Sequence, residues 1–140
     1  MSIVTKRGDQ GMTDYFGKRL VKDAAEIELL GDLDELQAVA QLAGLDEIGR
    51  DLYKLMGKLD MSERIGEIER EIEKLTRLIK PESKFVLFGT ERGRRINWVR
   101  TVVRRAERKA VRAGVDGARL VYLNRLSDYC YLLALKEEKS

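Results

Sequence analysis

Histidine is absent from the 140-residue chain, and cysteine and proline occur once each. Without histidine, the protein has neither a histidine general base nor a histidine metal ligand. Cys130 has no cysteine partner within the chain, which is typical of proteins in a reducing compartment. No apolar run approaches the roughly 18 residues that a membrane span requires, and the polar N-terminus lacks the apolar segment of a secretory signal. We therefore expect a cytoplasmic protein without a membrane segment.

Charge is abundant and unevenly distributed along the chain. Charged residues make up 36% of the sequence, yet the net charge is only +3. Residues 94–112 contain eight lysines and arginines but a single glutamate, Glu107, which gives this segment a local excess of +7. Such a localised basic patch favours a phosphate-bearing partner over unspecific binding.

Apolar spacing predicts helices along most of the chain. The length and the 44% share of apolar residues fit a single domain over residues 1–140. Residues 1–22 are glycine-rich and aperiodic, which predicts a loop with at most a short turn and no strand. The fold class is therefore all-α, a helical bundle over residues 23–140 preceded by a glycine-rich N-terminal loop. The predicted helices cover about residues 24–44, 46–60, 62–80, 94–113 and 117–136.

Residues that commonly start or stop helices support these boundaries. Asp23 and Ser62 are placed to cap the first and third helices, and Gly44, Pro81 and Gly114 are placed to end the first, third and fourth. The third helix is amphipathic with alternating charges, which indicates a solvated bundle helix. A coiled coil with a partner is the alternative, although the heptads are too few.

The segment VRTVVRRAERKAVR, residues 99–112, combines an apolar face with a row of arginines. Its apolar stripe consists of Val99, Val102, Val103, Ala106 and Ala110. On a helix, Arg100, Arg104 and Arg108 line up beside this stripe at i, i+4 and i+8. Like charges at this spacing repel one another. The row therefore predicts a bound anion.

Asp34 falls on an apolar face of the first helix, between Ile27, Leu30 and Ala38. An ionised carboxylate in such surroundings requires a partner, or its pKa rises. Either Asp34 faces a loop or solvent, or it pairs with an arginine, for which Arg100 is the natural candidate.

Asn124 borders the apolar face of the fifth helix. An asparagine at such a border can orient a ligand, or it can hydrogen-bond to a neighbouring helix, which is the commoner case. Arg125 and Asp128 follow at a spacing of i, i+3 and are predicted to form a surface pair.

The N-terminal segment TKRGDQGMT, residues 5–13, is the least core-like part of the chain. Gly8 and Gly11 permit positive φ, and successive backbone N–H groups in such a loop can form an anion-binding nest. A merely flexible terminus is the alternative. The segment matches neither the P-loop nor the dinucleotide-binding fingerprint.

Five short blocks in order carry a family resemblance. They read TKRGDQGMT, GDLDELQ, FVLFGT, RTVVRRAER and NRLSD, and they are spread over residues 5–128. They resemble the PduO-type ATP:cob(I)alamin adenosyltransferases, whose pattern is T-[KR]-x-G-D-x-G-x-T, G-x-x-D-E-L-N, F-x-L-P-G-G, R-x-x-x-R-R-A-E-R and N-R-L-S-D. RRAER followed by LNRLSD is a highly specific combination.

The resemblance implies a ferritin-like five-helix bundle that assembles as a homotrimer, with one active site at each subunit interface. It implies transfer of the 5′-deoxyadenosyl group of ATP to the cobalt of cob(I)alamin, with Mg²⁺ on the phosphates. A reductase and a cobalamin-dependent enzyme would be further partners, whereas no membrane, nucleic acid or set of protein metal ligands is implied.

The resemblance also implies roles for individual residues. Asp34 and Arg100 would join neighbouring subunits, and Phe85 would face the lower side of the corrin. The expected catalytic residues are Arg104, Arg108 and Phe85. The expected nucleotide-binding residues are Thr5, Lys6, Gly8, Thr13, Lys22, Arg104, Arg105, Glu107, Arg108 and Asn124.

Three positions depart from the family pattern: Gln37 replaces Asn, Phe88 replaces Pro, and Thr90 replaces the second Gly. These departures leave open a member that binds ATP or cobalamin as a carrier or sensor without catalysis. Without the resemblance, Phe85 and Phe88 would be assigned to ordinary core packing. The basic helix would then suggest a nucleic-acid-binding protein, although its apolar stripe argues against that function.

Overall fold

The computed structural model describes residues 24–139 without a break and, before them, residues 3, 4, 6, 9, 11–15 and 18–21. Five helices account for most of the described chain, as predicted. The elements in order are β1 Met12–Tyr15, β2 Lys18–Val21, α1 Ala25–Leu42, α2 Asp46–Met56, α3 Ser62–Ile79, α4 Glu91–Arg112 and α5 Ala118–Glu138.

The N-terminal hairpin differs from the sequence prediction. β1 and β2 pair in antiparallel fashion, with Thr13 opposite Leu20. The prediction of a loop without strands is wrong here, because strands of four residues are too short to produce a clear period of two. Ahead of the hairpin, the backbone N–H of Asp9 donates to the carbonyl of Lys6 at 3.2 Å, which gives the predicted short turn.

Glycine and proline end three helices where the sequence predicts it. Gly44 and Gly114 follow α1 and α4 with φ of +76° and +77°, values that glycine adopts without strain. Pro81 follows Lys80, the C-cap of α3. α2 ends at Met56, four residues earlier than predicted, because the chain turns at the C-cap Gly57.

The predicted N-caps are wrong. The N-cap of α1 is Ala24, which makes no side-chain cap bond, and Asp23 lies outside the described residues. Ser62 is the first residue of α3, and its hydroxyl donates to Asp60 at 2.7 Å instead of capping the helix. α4 begins three residues earlier than predicted, because Thr90 accepts the N–H of Gly93 at 3.0 Å and caps the helix there.

The core forms where the helices turn their apolar faces together. α4 packs against α1 on one side and α5 on the other, while α3 packs against α5 and α2 against α1. The whole predicted stripe of α4, from Val99 to Ala110, is buried. Within the described chain, no helix has the length and hydrophobicity needed to cross a membrane.

A buried polar cluster joins α2, α3 and α5 inside this core. The carboxylate of Asp51 accepts the Arg64 Nε–H at 2.9 Å and the Tyr122 hydroxyl at 2.7 Å. Burial, and after it the neighbouring Asp51 carboxylate, raise the pKa of Tyr122 well above its usual value. Because each buried polar group is paired, the cluster stabilises the packing of three helices.

Candidate functional site

Arg104 and Arg108 lie one turn apart on the side of α4 that faces away from α1, and both are exposed. We call the row Arg100, Arg104 and Arg108 the outward flank of α4. Within residues 24–139, neither Arg104 nor Arg108 makes a hydrogen bond or an ion pair. Guanidinium groups can bind phosphate oxygens in a bidentate manner and stay charged at any physiological pH. Within the described chain, no other side chain neutralises these two guanidinium groups.

α4 and α5 bring two further predicted residues to this flank. The side-chain amide of Asn124 donates to the Glu107 carboxylate at 3.1 Å. The carbonyl oxygen of Asn124 accepts an N–H of Arg125 at 2.8 Å, and Arg125 also pairs with Glu69 of α3 at 2.9 Å. The hydrogen bond predicted between Asn124 and a neighbouring helix is thus confirmed. The predicted Arg125–Asp128 pair is wrong, because the α3 carboxylate attracts the Arg125 side chain instead.

The opposite side of α4, which we call the α1 flank, consists of Arg105, Lys109 and Arg112. Arg105 pairs with Asp32 at 3.2 Å and also with Glu35. Glu28 accepts Lys109 at 2.8 Å and Arg112 at 3.3 Å. Carboxylates of α1 therefore neutralise this half of the basic segment.

Arg105 is the predicted nucleotide-binding residue whose surroundings differ most from the expectation. Partial burial disfavours its charge, but the attraction of Asp32 and Glu35 outweighs this cost and raises the pKa of Arg105. Its guanidinium is thus held on α1, on the opposite flank from Arg104. The geometry fits a link between two helices better than a contact with phosphate.

Phe85 lies in the connection between α3 and α4, residues 80–90, and 88% of its surface is exposed. It borders an open cleft of about 360 Å³, whose lining also includes Leu87, Phe88, Asn97, Arg100 and Tyr131. Phe85 is therefore not a core residue. The cleft combines exposed apolar side chains with the cationic Lys84, Arg94 and Arg100, and exposed apolar side chains around a cleft are typical of a binding surface.

Arg100 connects this cleft to the arginine row. Its Nε–H donates to Asn97 at 2.8 Å, and its guanidinium lies over the Tyr131 ring, 5.9 Å from the ring centre. Phe88 packs edge-on against the same ring, with 6.5 Å between the ring centres. Phe88, unlike Phe85, thus packs against the core. Phe88, one of the two departures from the family pattern in the FVLFGT block, therefore lines the cleft.

Asp34 is exposed, as in the alternative in which it faces solvent, and it forms no ion pair with an arginine of the described chain. It borders a shallow surface groove together with Ile27, Leu30 and Met56. The apolar face that the sequence indicates is present, but no other part of the described chain covers it. Arg100 contacts Asn97 and Tyr131 rather than Asp34, so their pairing between subunits stays a prediction.

The predicted N-terminal nucleotide-binding residues are only partly described. Lys6 is exposed and has a positive φ of 62°, and Thr13 lies in β1. Thr5, Gly8 and Lys22 lie outside the described residues. The role of the segment as a loop around phosphate stays a prediction.

Two clusters of hydrogen-bonded side chains were not predicted from the sequence. The buried Asp51 cluster involves residues far apart in the chain, and nothing in the sequence marks Asp51 as buried. Glu138 of α5 accepts hydrogen bonds from the backbone of Gly89 and Thr90, each at 3.0 Å. Thr90 could have been found as a cap, because a threonine directly before an acidic first turn commonly begins a helix.

The family model for cobalamin adenosyltransferases matches residues 3–137 of the chain. The chain is 32% identical to the corrinoid adenosyltransferase PduO of Salmonella typhimurium, with 99% of this chain and 50% of the relative covered. The chain thus spans about half the length of that relative. It is 31% identical to the corrinoid adenosyltransferase of Bacillus subtilis, with 96% of this chain and 85% of the relative covered.

A similar solved structure is a phenylalanine-to-histidine variant of the PduO-type ATP:corrinoid adenosyltransferase from Lactobacillus reuteri, complexed with cobalamin and ATP. It superimposes with a TM-score of 0.89 at 25% identity and covers 99% of this chain and 91% of the other. The family model matches nearly all of the described bundle, and the five sequence blocks occur in the order of the family pattern. The chain belongs to the cobalamin adenosyltransferase family.

Proposed function

We propose that the protein transfers the 5′-deoxyadenosyl group of ATP to the cobalt of cob(I)alamin, giving adenosylcobalamin and inorganic triphosphate. The observation that carries this proposal is the arrangement along α4. One end of the outward flank, Arg100, borders the cleft at Phe85, while Arg104 and Arg108 are exposed without partners in the described chain. A single helix therefore offers a surface for a corrin next to a surface for phosphates.

The spacing along α4 suits this pair of substrates. Residues four apart on a helix are separated by about 6 Å along its axis. Arg104 and Arg108 therefore lie about one and two turns beyond the Arg100 end of the cleft. We propose that a triphosphate bound to these two arginines is oriented with its ribose towards the cleft, where the acceptor would lie.

In the proposed reaction, Co(I) supplies an electron pair to the 5′ carbon of the ribose, and a Co–C bond forms. The C5′–O bond breaks, and triphosphate leaves with the bonding pair. Because cobalt is the nucleophile, no general base is required, and a chain without histidine can support the chemistry. The protein must place the two reacting atoms in line and stabilise the leaving group.

The role of Arg104 and Arg108 follows from where charge develops. Negative charge increases on the oxygen that leaves with the triphosphate, and cations fixed beforehand stabilise that charge. One such donor is typically worth about 3 kcal/mol. Glu107 and Asn124 contact each other beside these arginines and are proposed to orient the nucleotide.

Mg²⁺ would supply further neutralisation of the phosphate charge when it is bound. Within the described residues, no group of three or more acidic or cysteine side chains is arranged to hold a metal ion. A magnesium ion in this site would therefore be held mainly by phosphate oxygens and water, which is its usual coordination in nucleotide sites.

Phe85 is proposed to form an aromatic wall on the lower side of the corrin. An apolar wall there excludes the lower axial ligand of cob(II)alamin and favours a four-coordinate form, which is easier to reduce to Co(I). The exposure of Phe85 in the cleft supports this role, because a side chain packed in the core could not reach a ligand.

The proposed active unit is a homotrimer in which Asp34 of one subunit pairs with Arg100 of the next. The uncovered groove on α1 supports this assembly, because Asp34 lies there among Ile27, Leu30 and Met56. Residues 1–22 are proposed to wrap the triphosphate. Sedimentation equilibrium at micromolar concentration is expected to give the trimer mass, and a monomer mass would contradict the assembly.

The direct test of the activity is anaerobic mixing of the protein with cob(I)alamin, ATP and Mg²⁺. We expect the absorption spectrum of adenosylcobalamin to appear, with one triphosphate released for each corrinoid converted. A sample without corrinoid controls for simple ATP hydrolysis. Binding of both substrates without product would favour a carrier or sensor, which the departures at Gln37 and Phe88 allow.

A further inference from the structure

The last turn of α5 contacts both ends of the connection that carries Phe85. Lys139 donates from Nζ to the carbonyl of Ile79 at 2.7 Å, at the C-terminal end of α3. Glu138 accepts the backbone N–H groups of Gly89 and Thr90, each at 3.0 Å, at the N-terminal end of α4. Two consecutive residues at the end of α5 thus contact both ends of residues 80–90.

The charges of these contacts match the helix ends that they meet. The N-terminus of a helix carries partial positive charge and unpaired N–H groups, and the C-terminus carries partial negative charge and unpaired carbonyls. The Glu138 carboxylate lies at an N-terminus, and the Lys139 ammonium lies at a C-terminus. The adjacent Glu137 pairs with Arg92 in the first turn of α4.

Thr90 and Gly93 of the α4 N-terminus lie in close contact with the Glu138 carboxylate. The hydroxyl of Thr90 donates to Glu138 at 3.0 Å while accepting the N–H of Gly93 at 3.0 Å. A Cβ atom added to Gly93 would lie 2.7 Å from a carboxylate oxygen of Glu138, which is too close. Thr90 and Gly93 thus supply a donor and the space for this carboxylate. The departure from the family pattern at Thr90 adds one hydrogen bond to it.

We infer that Glu137, Glu138 and Lys139 form a clamp that positions the Phe85 connection for the corrinoid, with Glu138 as its main positioning residue. The inference rests on the proposed function, since it concerns the corrinoid side of that site. Phe85 is highly exposed and has little packing of its own to fix it. Its position is set by the two ends of the connection, which α5 holds, together with the packing of Phe88 on Tyr131 of the same helix.

If the clamp positions Phe85, substitution of Glu138 should weaken corrinoid binding and leave ATP binding nearly unchanged. In Glu138→Ala, assayed with cob(II)alamin and a reductant, we expect the KM for the corrinoid to rise about tenfold while the KM for ATP stays within about twofold. Glu138→Gln retains an acceptor oxygen without the charge, and its KM for cob(II)alamin should fall between those of the wild type and the alanine variant. Glu73→Ala is the matched control, because it removes a glutamate from an exposed ion pair with Arg77 on α3.

Hydrogen exchange tests the clamp without any substrate. The amides of Gly89 and Thr90 are expected to exchange about tenfold faster in Glu138→Ala than in the wild type or Glu73→Ala. Unchanged exchange at these amides would overturn the clamp. Faster exchange with equal rises of both KM values would also overturn it, because the carboxylate would then stabilise the fold alone. A wild-type protein without adenosyl transfer would overturn the proposed function, and the exchange rates would still decide the clamp.

Discussion

Arg104 and Arg105 are neighbours in the sequence, but their side chains lie on opposite flanks of α4 in opposite surroundings. Arg105, with Lys109 and Arg112, faces the carboxylates of α1 and is paired with them. Arg104 and Arg108 are exposed, and within the described chain neither forms an ion pair. One basic segment thus has two different surroundings. Half of it pairs with the carboxylates of α1, and Arg104 and Arg108 in the other half have no ion-pair partner in the described chain.

The difference between the flanks comes from α1 and not from α4. Glu28, Asp32 and Glu35 recur along α1 at helical spacing, so they form a row of negative charge beside one flank only. A row of arginines by itself is therefore a poor guide to ligand binding. Which of its members can bind phosphate depends on the charges that the neighbouring helix presents.

Removal of both outward arginines is expected to have the largest effect. In Arg104→Ala combined with Arg108→Ala, ATP turnover should fall about a hundredfold, which corresponds to about 2.7 kcal/mol, because two charge-assisted contacts with phosphate are lost. Each single variant should lose at least about tenfold. Thermal unfolding should be nearly unchanged, since neither side chain has a partner in the described chain. Wild-type turnover in the double variant would contradict the phosphate role.

Phe85→Ala extends the comparison to the cleft at the end of the outward flank. Turnover that starts from cob(II)alamin and a reductant should fall about tenfold, because only that route requires the four-coordinate cobalt. Turnover from cob(I)alamin should fall less, and ATP affinity should stay at the wild-type value. Electron paramagnetic resonance with cob(II)alamin and ATP is the direct readout. A four-coordinate signal of wild-type strength in the variant would refute the role of Phe85.

Arg105→Met should break the α1 flank and leave the outward flank intact. Its ion pairs with Asp32 and Glu35 are partly exposed, so their loss should lower the free energy of unfolding by only about 0.5–1 kcal/mol. Urea denaturation measures this change. ATP affinity should stay within about threefold of wild type, and a loss as large as that of Arg104→Ala would place Arg105 among the phosphate ligands.

The smallest expected effect is on the pH dependence of stability, and it concerns the ion pair of Glu28. The hydrogen bond and attraction of Lys109 lower the pKa of the Glu28 carboxyl below its usual value of 4.5. Stability from this pairing is therefore present above pH 4.5 and is lost as the pH falls through the lowered pKa. Between pH 6 and pH 3, wild-type protein should lose slightly more stability than Glu28→Gln in parallel urea titrations. Identical losses would show that the pair contributes nothing measurable.

The sequence predicts the buried face of α4 because helical periodicity is a local property. Val99, Val103 and Ala110 are buried as their spacing requires. The partition of the arginines could not be predicted in this way. Arg105 lies more than 60 residues from Asp32 in the chain, and only the packing of α1 against α4 brings the two together.

Asp34 shows a second limit of prediction from sequence. Its apolar neighbours on the helix left open whether Asp34 faces solvent or pairs with an arginine, and in the structure Asp34 is exposed beside Ile27, Leu30 and Met56. Periodicity identifies an apolar face and does not say whether the same chain or another subunit covers it. The contacts of Glu138 could not be predicted from the sequence either, because they join residues 48 and 49 positions apart in the chain.

Binding of inorganic triphosphate tests the central claim most directly, because this ligand offers phosphate oxygens and nothing else. Isothermal titration of triphosphate into wild-type protein, Arg105→Met and the Arg104→Ala, Arg108→Ala double variant separates the two flanks. We expect the wild type and Arg105→Met to bind with similar affinity and the double variant to bind about a hundredfold more weakly. Equal binding by the double variant and the wild type would contradict the assignment of the outward flank to the triphosphate of ATP.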